Sequence, residues 1–306
     1  MIEAYAKEFA GKQVVEWKKK TGIARPDLFH YRITLDYEEG ESGVEWTDLF
    51  DAFLEDPNAA RLTGLVVGAW GSEMYNEATD TVTAALVAAR ERLPALKALF
   101  VGDITSEECE ISWIKQDNMD PLLAAYPDLE HFRVRGGQGL SFGALRHNKL
   151  QSLILETGGM DAEIVRSVCA AHLPELTHLE LWLGTDGYGG NTTLKDLQPL
   201  LSGDLFPKLT YLGLRDSEIA DEIAVALASS PLLARIQTLD LSLGTLGDTG
   251  AQALLQSHSL ATSLKKLDLH HHYISPALVA QLKNLSLEVD VKDVQTGDDR
   301  YVAVGE

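Results

Sequence analysis

Eight times between Leu62 and Leu269 the chain writes one short pattern: an aliphatic residue, two variable positions, an apolar residue, one variable position, and a second apolar residue. The copies start at Leu62, Leu96, Leu129, Leu150, Leu176, Leu209, Ile236 and Leu264, with Leu in most of the fixed places and Ile, Val or Phe in the rest. The second half of the pattern alternates apolar and variable residues, the period of a strand with one buried face. A strand of this kind has no core of its own. Recurring along a chain, it finds one by stacking against the next copy.

The spacing leaves room for more than a strand. Successive starts lie 34, 33, 21, 26, 33, 27 and 28 residues apart. After the copy ending at Leu214, residues Ile219, Ile223, Ala226 and Leu227 fall on one face of a helix. After Leu241, Asp248 stands where a helix cap is expected, followed by Ala251, Leu254 and Leu255. After Leu269, Ser275-Pro276 opens a helix carrying Leu278, Val279 and Leu282. Proline is tolerated in a first helical turn, where its missing N–H had no partner. Strand, turn and helix therefore alternate with a single period.

Both ends depart from the pattern. Residues 29–37 alternate Ile33 and Leu35 inward and predict a strand, and Trp46, Leu49, Phe50, Phe53 and Leu54 predict an amphipathic helix. Together they form a degenerate first unit, preceded by a further capping piece with a strand near Lys12–Trp17. Leu287, Val289 and Val291 predict a last strand. The expected organisation is a capping region over 1–61, repeats over 62–291 and a tail over 292–306, the tail either lying across the last repeat through Tyr301 and Val304 or staying loose.

The eight-fold pattern resembles the leucine-rich-repeat superfamily, and its long helices resemble the ribonuclease-inhibitor-like subtype as found in cytosolic bacterial members. The likeness spans about 62–291. It implies an α/β solenoid shaped as a horseshoe, with a parallel concave sheet of about ten strands and helices on the convex side. It also implies a non-catalytic scaffold that holds another protein. The family usually has Asn or Cys at the ninth repeat position to satisfy backbone groups in the turn. Here that position holds Gly137, Gly158, Gly184, Ser217, Gly244 and His272, so these turns need another solution.

If the leucines face the core, positions 3, 5 and 7 point out of the concave sheet. Read along the array, they give an N-terminal zone of small and apolar residues (Gly64, Val66, Gly68, Ala98 and Phe100, with Trp70 just beyond), which either the chain before Leu62 or the tail covers or which, left open, is a docking or self-association surface. The middle is charged and aromatic, with Arg133, Arg135, Glu156, Glu180, Trp182, Tyr211 and Arg215. The C-terminal zone is acidic, with Asp240, Asp268 and His270. Aromatic and arginine side chains anchor many interfaces. These ten charged and aromatic residues are the expected partner-binding set, with an exposed Trp182 at its centre. Trp182 packed on a neighbouring loop is the competing expectation.

The net charge of −20, from 46 acidic and 26 basic residues, argues against a nucleic-acid partner and admits a basic protein. No apolar run approaches a membrane span, and the opening MIEAYAKEFAGKQVVEW lacks a signal peptide's apolar stretch. With only Cys109 and Cys169, a cytoplasmic location is expected. Nucleotide-binding, hydrolase and zinc motifs are absent from the sequence, so no cofactor and no enzyme activity are expected. The glycine run after Arg135 lacks the dinucleotide-binding spacing and predicts a flexible turn. Two alternatives stand beside the scaffold. One is a regulator that occupies the basic surface of an enzyme. The other is a metal site or enzyme using Asp240, Asp268 and His270, since imidazole and carboxylate both ligate zinc.

Overall fold

The computed structural model describes residues 2–71, 76–297 and 299–305. Among these, twelve strands form one sheet in strict chain order. They are β1 (Glu8–Phe9), β2 (Lys12–Glu16), β3 (Phe29–Ile33), β4 (Gly64–Val67), β5 (Ala98–Val101), β6 (His131–Arg135), β7 (Ser152–Glu156), β8 (His178–Gly184), β9 (Tyr211–Ser217), β10 (Thr238–Asp240), β11 (Lys266–Asp268) and β12 (Glu288–Asp290). The β1–β2 pair is antiparallel and every later pair is parallel. The count exceeds the expected ten or so; the strand expected near Lys12–Trp17 is β2, and β1, which pairs with it in a hairpin, is the one not anticipated.

The register repeats the sequence pattern. Leu65, Leu99, Phe132, Leu153, Leu179, Leu212, Leu239 and Leu267 lie side by side across eight strands, and all are buried. A one-residue slip would turn this row to solvent, so burial of one face fixes the register. Ten helices return the chain between strands: α1 (Tyr37–Glu41), α2 (Trp46–Leu54), α3 (Asp80–Ala88), α4 (Asp120–Ala125), α5 (Ala162–Cys169), α6 (Leu194–Leu201), α7 (Ala220–Ala228), α8 (Asp248–Gln256), α9 (Leu260–Ser263) and α10 (Pro276–Lys283), counted among the described residues. Their apolar faces join the strand leucines in one continuous core, as with Ile223 and Leu227 of α7 and Leu254 of α8.

The aromatic N-terminal cap closes one end of that core. Trp46 stacks on Phe50 at 4.9 Å, and Trp17 meets Phe53 edge to face at 5.6 Å. On the other side of the sheet, Phe9 of the hairpin packs on Val66, Ala98 and Phe100. The small N-terminal zone is thus covered by the preceding chain. Its glycines are seats for side chains from β3. A Cβ on Gly64 would lie 2.3 Å from the His30 ring, and one on Gly68 would lie 2.6 Å from the Arg32 guanidinium.

The turns lacking the usual Asn or Cys are satisfied in several ways. Buried His272 accepts the Ile274 N–H at Nδ1 and lies 3.2 Å from the Val291 carbonyl at Nε2, which fixes the tautomer with the proton on Nε2. Ser217 Oγ accepts the Ile219 N–H. Gly184, at φ +65°, passes so close to Gly158 that a Cβ there would meet its carbonyl oxygen at 1.9 Å. The tail does not stop at the last repeat. It runs back to β9, where the Val304 N–H donates to Asp216 and the Ala303 N–H to the Leu243 carbonyl.

Candidate functional site

The concave face is built from three rows of side chains in register. Position 3 gives His131, Ser152, His178, Tyr211, Thr238 and Lys266, adjacent across β6 to β11 and all half-exposed. Beside it runs Arg133, Ile154, Glu180, Gly213, Asp240 and Asp268 from position 5. Position 7 supplies Arg135 beside Glu156, and Trp182 beside Arg215. Outward direction does not mean exposure here, because most of the charges in the last two rows neutralise one another.

Two ionic networks do this. In the first, Arg32 bonds to Asp103 at 3.1 Å, Asp103 lies 3.6 Å from Arg135, and Arg135 bonds to Glu156 at 2.7 Å. Arg133 closes the network on the other oxygen of Glu156 and lies over the Phe100 ring at 4.3 Å. In the second, Glu180 accepts from Trp182 Nε1 at 2.6 Å, from Arg215 at 2.8 Å and from the Tyr211 hydroxyl at 3.2 Å. Tyr211 also donates to Asp240 at 2.8 Å, and Arg215 lies 3.3 Å from the same carboxylate. Burial alone would raise Glu180, yet His178, 3.6 Å away, and the bonds from Arg215 and Trp182 outweigh it and hold the carboxyl well below the usual range. Burial, with Glu180 and Asp240 close by, pushes the Tyr211 hydroxyl far above its ordinary value, so it stays a donor.

Trp182 is not the exposed anchor expected of it. It is 7% exposed and shares an apolar cluster with Ile111 and with Val304 of the tail, while Arg215 lies 4.9 Å from its ring. It packs instead on Ile111, in the connection between β5 and α4, and on the tail, and not in open solvent. Arg135, Glu156, Glu180 and Asp240 are likewise buried, whereas Arg133, Tyr211, Arg215, Asp268 and His270 keep partial exposure. His178 stacks flat on Tyr211, with ring centroids 3.8 Å apart and planes 8° from parallel.

The structure does not gather Asp240, Asp268 and His270 into a metal-ligand group. Asp240 is engaged by Tyr211 and Arg215 on β9, and Asp268 binds His270 Nδ1 at 2.7 Å with Lys266 at 3.6 Å. The bond to Asp268 raises the His270 imidazole above its ordinary value. Among the described residues, no group of three or more His, Cys, Asp or Glu is placed to hold a metal ion, and no helix is long and apolar enough to cross a membrane.

Sequence reasoning missed Asp103 and Asp216. Both stand at the eighth position, just after the alternation ends, and both are fully buried. Asp103 accepts the Ala6 N–H of the N-terminal segment and Asp216 the Val304 N–H of the tail. An aspartate after position 7 in only these two of eight units was the available signal.

A leucine-rich-repeat family model matches residues 207–228 and 236–255. Among solved structures, a protein from Bacteroides fragilis is 31% identical with a TM-score of 0.84, over 90% of this chain and 77% of that chain. An internalin from Listeria monocytogenes is 14% identical over 89% of this chain and 75% of that one, with a TM-score of 0.38 that carries no argument. No curated protein matches the sequence. The pattern, the twelve-stranded sheet and these likenesses agree: the chain belongs to the leucine-rich-repeat superfamily.

Proposed function

We propose that the protein is a non-catalytic scaffold that holds another protein against its concave sheet. The observation that carries this reading is the unbroken position-3 row. His131, Ser152, His178, Tyr211, Thr238 and Lys266 stand half-exposed on six consecutive strands, with Arg133 and Ile154 beside them. Strands ~4.8 Å apart make such a row roughly 25 Å long, the scale of a protein contact. Tyr211 is held by Glu180 and Asp240 and stacks on His178, and side chains already ordered lose less entropy on binding.

The acids that would draw a basic partner, Glu156, Glu180 and Asp240, are already engaged by Arg133, Arg135, Arg215 and Tyr211. The proposed interface therefore rests on the half-exposed row and not on free acid. Capture of partners from the native lysate tests it. Ser152→Arg puts a long cation in the middle of the row and is expected to abolish capture, while Val225→Arg on the exposed side of α7 leaves it unchanged. Equal capture by both variants overturns the reading.

A further inference from the structure

The tail lies in a groove shaped to receive an extended chain. Its contacts come in sequence. Arg300 bonds to Asp221 at 3.0 Å and to the Thr245 carbonyl at 3.1 Å, with its guanidinium 5.7 Å from the Tyr273 ring. The Ala303 N–H donates to the Leu243 carbonyl. The Val304 N–H donates to Asp216, and the Val304 side chain joins Ile111 and Trp182. Gly305 then passes Gly158 and the Tyr188 ring.

Glycines clear the path at both ends. A Cβ on Gly247 would lie 2.2 Å from the Arg300 guanidinium, and a Cβ on Gly158 would lie 2.4 Å from the Gly305 carbonyl oxygen. The walls are thus matched to a passing backbone and to an arginine, not to a globular surface.

The tail also fills the groove imperfectly. Asp216 is wholly buried, yet its Oδ2 has no hydrogen-bond partner. An orphaned buried polar atom costs about 1–3 kcal/mol, so an occupant that gives this oxygen a partner would bind better there. Nearer the last repeat the anchors are more open: Tyr301 is held through its main chain, its N–H donating to the Tyr273 hydroxyl at 2.9 Å, while its side chain is 68% exposed, and the Arg300–Asp221 pair is partly exposed.

We propose that this groove is a second binding site, for an extended peptide segment of another protein, and that the tail is its resident self-ligand. The chemistry of the occupant follows from the tail: an arginine, an aliphatic residue four positions later, and then a glycine. When such a segment displaces the tail, Trp182 and Asp216 become part of the contact. The site is separate from the position-3 row, so it stands or falls independently of the concave-face reading.

The test uses the full chain and a fluorescent synthetic peptide with the sequence of residues 295–306. Val304→Asp in the protein should release the tail by placing a charge against Trp182. The labelled peptide, followed by anisotropy, is then expected to bind this variant about tenfold or more tighter than the wild-type chain, because a self-occupied site multiplies affinity by its free fraction. A peptide carrying the same Val→Asp change should lose that binding. Equal binding of the peptide to variant and wild type, or equal binding of the altered peptide, overturns the proposal. Arg300→Ala removes only a partly exposed anchor and serves if Val304→Asp fails to fold. It too should tighten peptide binding, and no gain there would count against the self-ligand. Ser152→Arg should leave peptide binding intact, which separates this result from the fate of the concave row.

Discussion

Glu180 and Arg215 meet at 2.8 Å across the β8–β9 pair, both largely withdrawn from solvent, at 8% and 16% exposure. Arg215 also reaches Asp240 and Ser242 and lies over Trp182, so one guanidinium ties four side chains together. Removing one partner of a buried pair leaves the other charge uncompensated, which costs about 3–5 kcal/mol, whereas replacing both by apolar groups is often neutral. Arg215→Ala is therefore expected to lower stability in denaturant melts by about that amount. Arg215→Ala leaves both Glu180 and Asp240 without their cation; the Glu180→Gln, Arg215→Met double variant removes one of those two charges and should lose less. A single substitution no worse than the double would show that the pair is not what holds this part of the sheet.

His30 is buried over Gly64 with no hydrogen-bond partner on either ring nitrogen. Burial, with Lys12 and His131 nearby, pushes its pKa down to about 4. The unfolded chain takes up this proton near pH 6.5, the folded chain only near 4. Stability is therefore full above about 6.5 and falls as pH drops to about 4, by roughly 3 kcal/mol for this group alone. Phe9 of the β1–β2 hairpin lies 6.1 Å from the ring, so opening of that hairpin would admit water to it. Protection factors of the amides in residues 8–16, each corrected for the intrinsic exchange rate at that pH, should fall between pH 6.5 and 4, and His30→Leu should flatten that dependence. The same slope in His30→Leu would assign it elsewhere.

Asp216 titrates in the opposite sense. Burial pushes its carboxyl up to about 8, against the bond from Val304 and the charge of Arg215. A carboxyl raised on folding contributes most below its unfolded value near 4, and that contribution is lost as pH rises towards 8. Lifting the tail gives the carboxylate access to water, so tail docking should weaken with rising pH. Limited proteolysis within residues 295–300 is expected to be faster at pH 9 than at pH 6. Asp216→Asn keeps an acceptor for the Val304 N–H and should make cleavage independent of pH over this range.

What the sequence made legible was whatever one buried face enforces. The aliphatic positions, the register and the strand–helix alternation follow from Leu65, Leu99 and their neighbours needing the same side of a sheet. The concave rows were legible in direction but not in exposure. Alternation places Glu180, Trp182 and Arg215 outward, but it carries no information that neighbouring strands would pair their charges. Still less does local pattern show that Val304, far along the chain, closes over Trp182. Gly64 and Gly68 looked like an open small-residue strip because their occupants, His30 and Arg32, come from a strand outside the regular repeats. β1, two residues long, is too short to carry a period.

His272 shows how a residue foreign to the ninth position meets the same demand. It is fully buried, and its two ring nitrogens engage the Ile274 N–H and the Val291 carbonyl. Burial lowers its pKa, which keeps the ring neutral and its two nitrogens in opposite roles, one acceptor and one donor. Leucine at this site would match the volume and strand both backbone groups, each costing about 1–3 kcal/mol when buried without a partner. Asparagine offers one acceptor and one donor on a shorter arm. His272→Leu is thus expected to destabilise the β11–β12 end of the array by about 2–4 kcal/mol, and His272→Asn by clearly less. Hydrogen exchange localised to residues 264–294 distinguishes this from a global loss, since repeats contact mainly their neighbours and a local defect should stay local. If leucine proved as stable as histidine, the turn at this end would have to be held by something other than the imidazole.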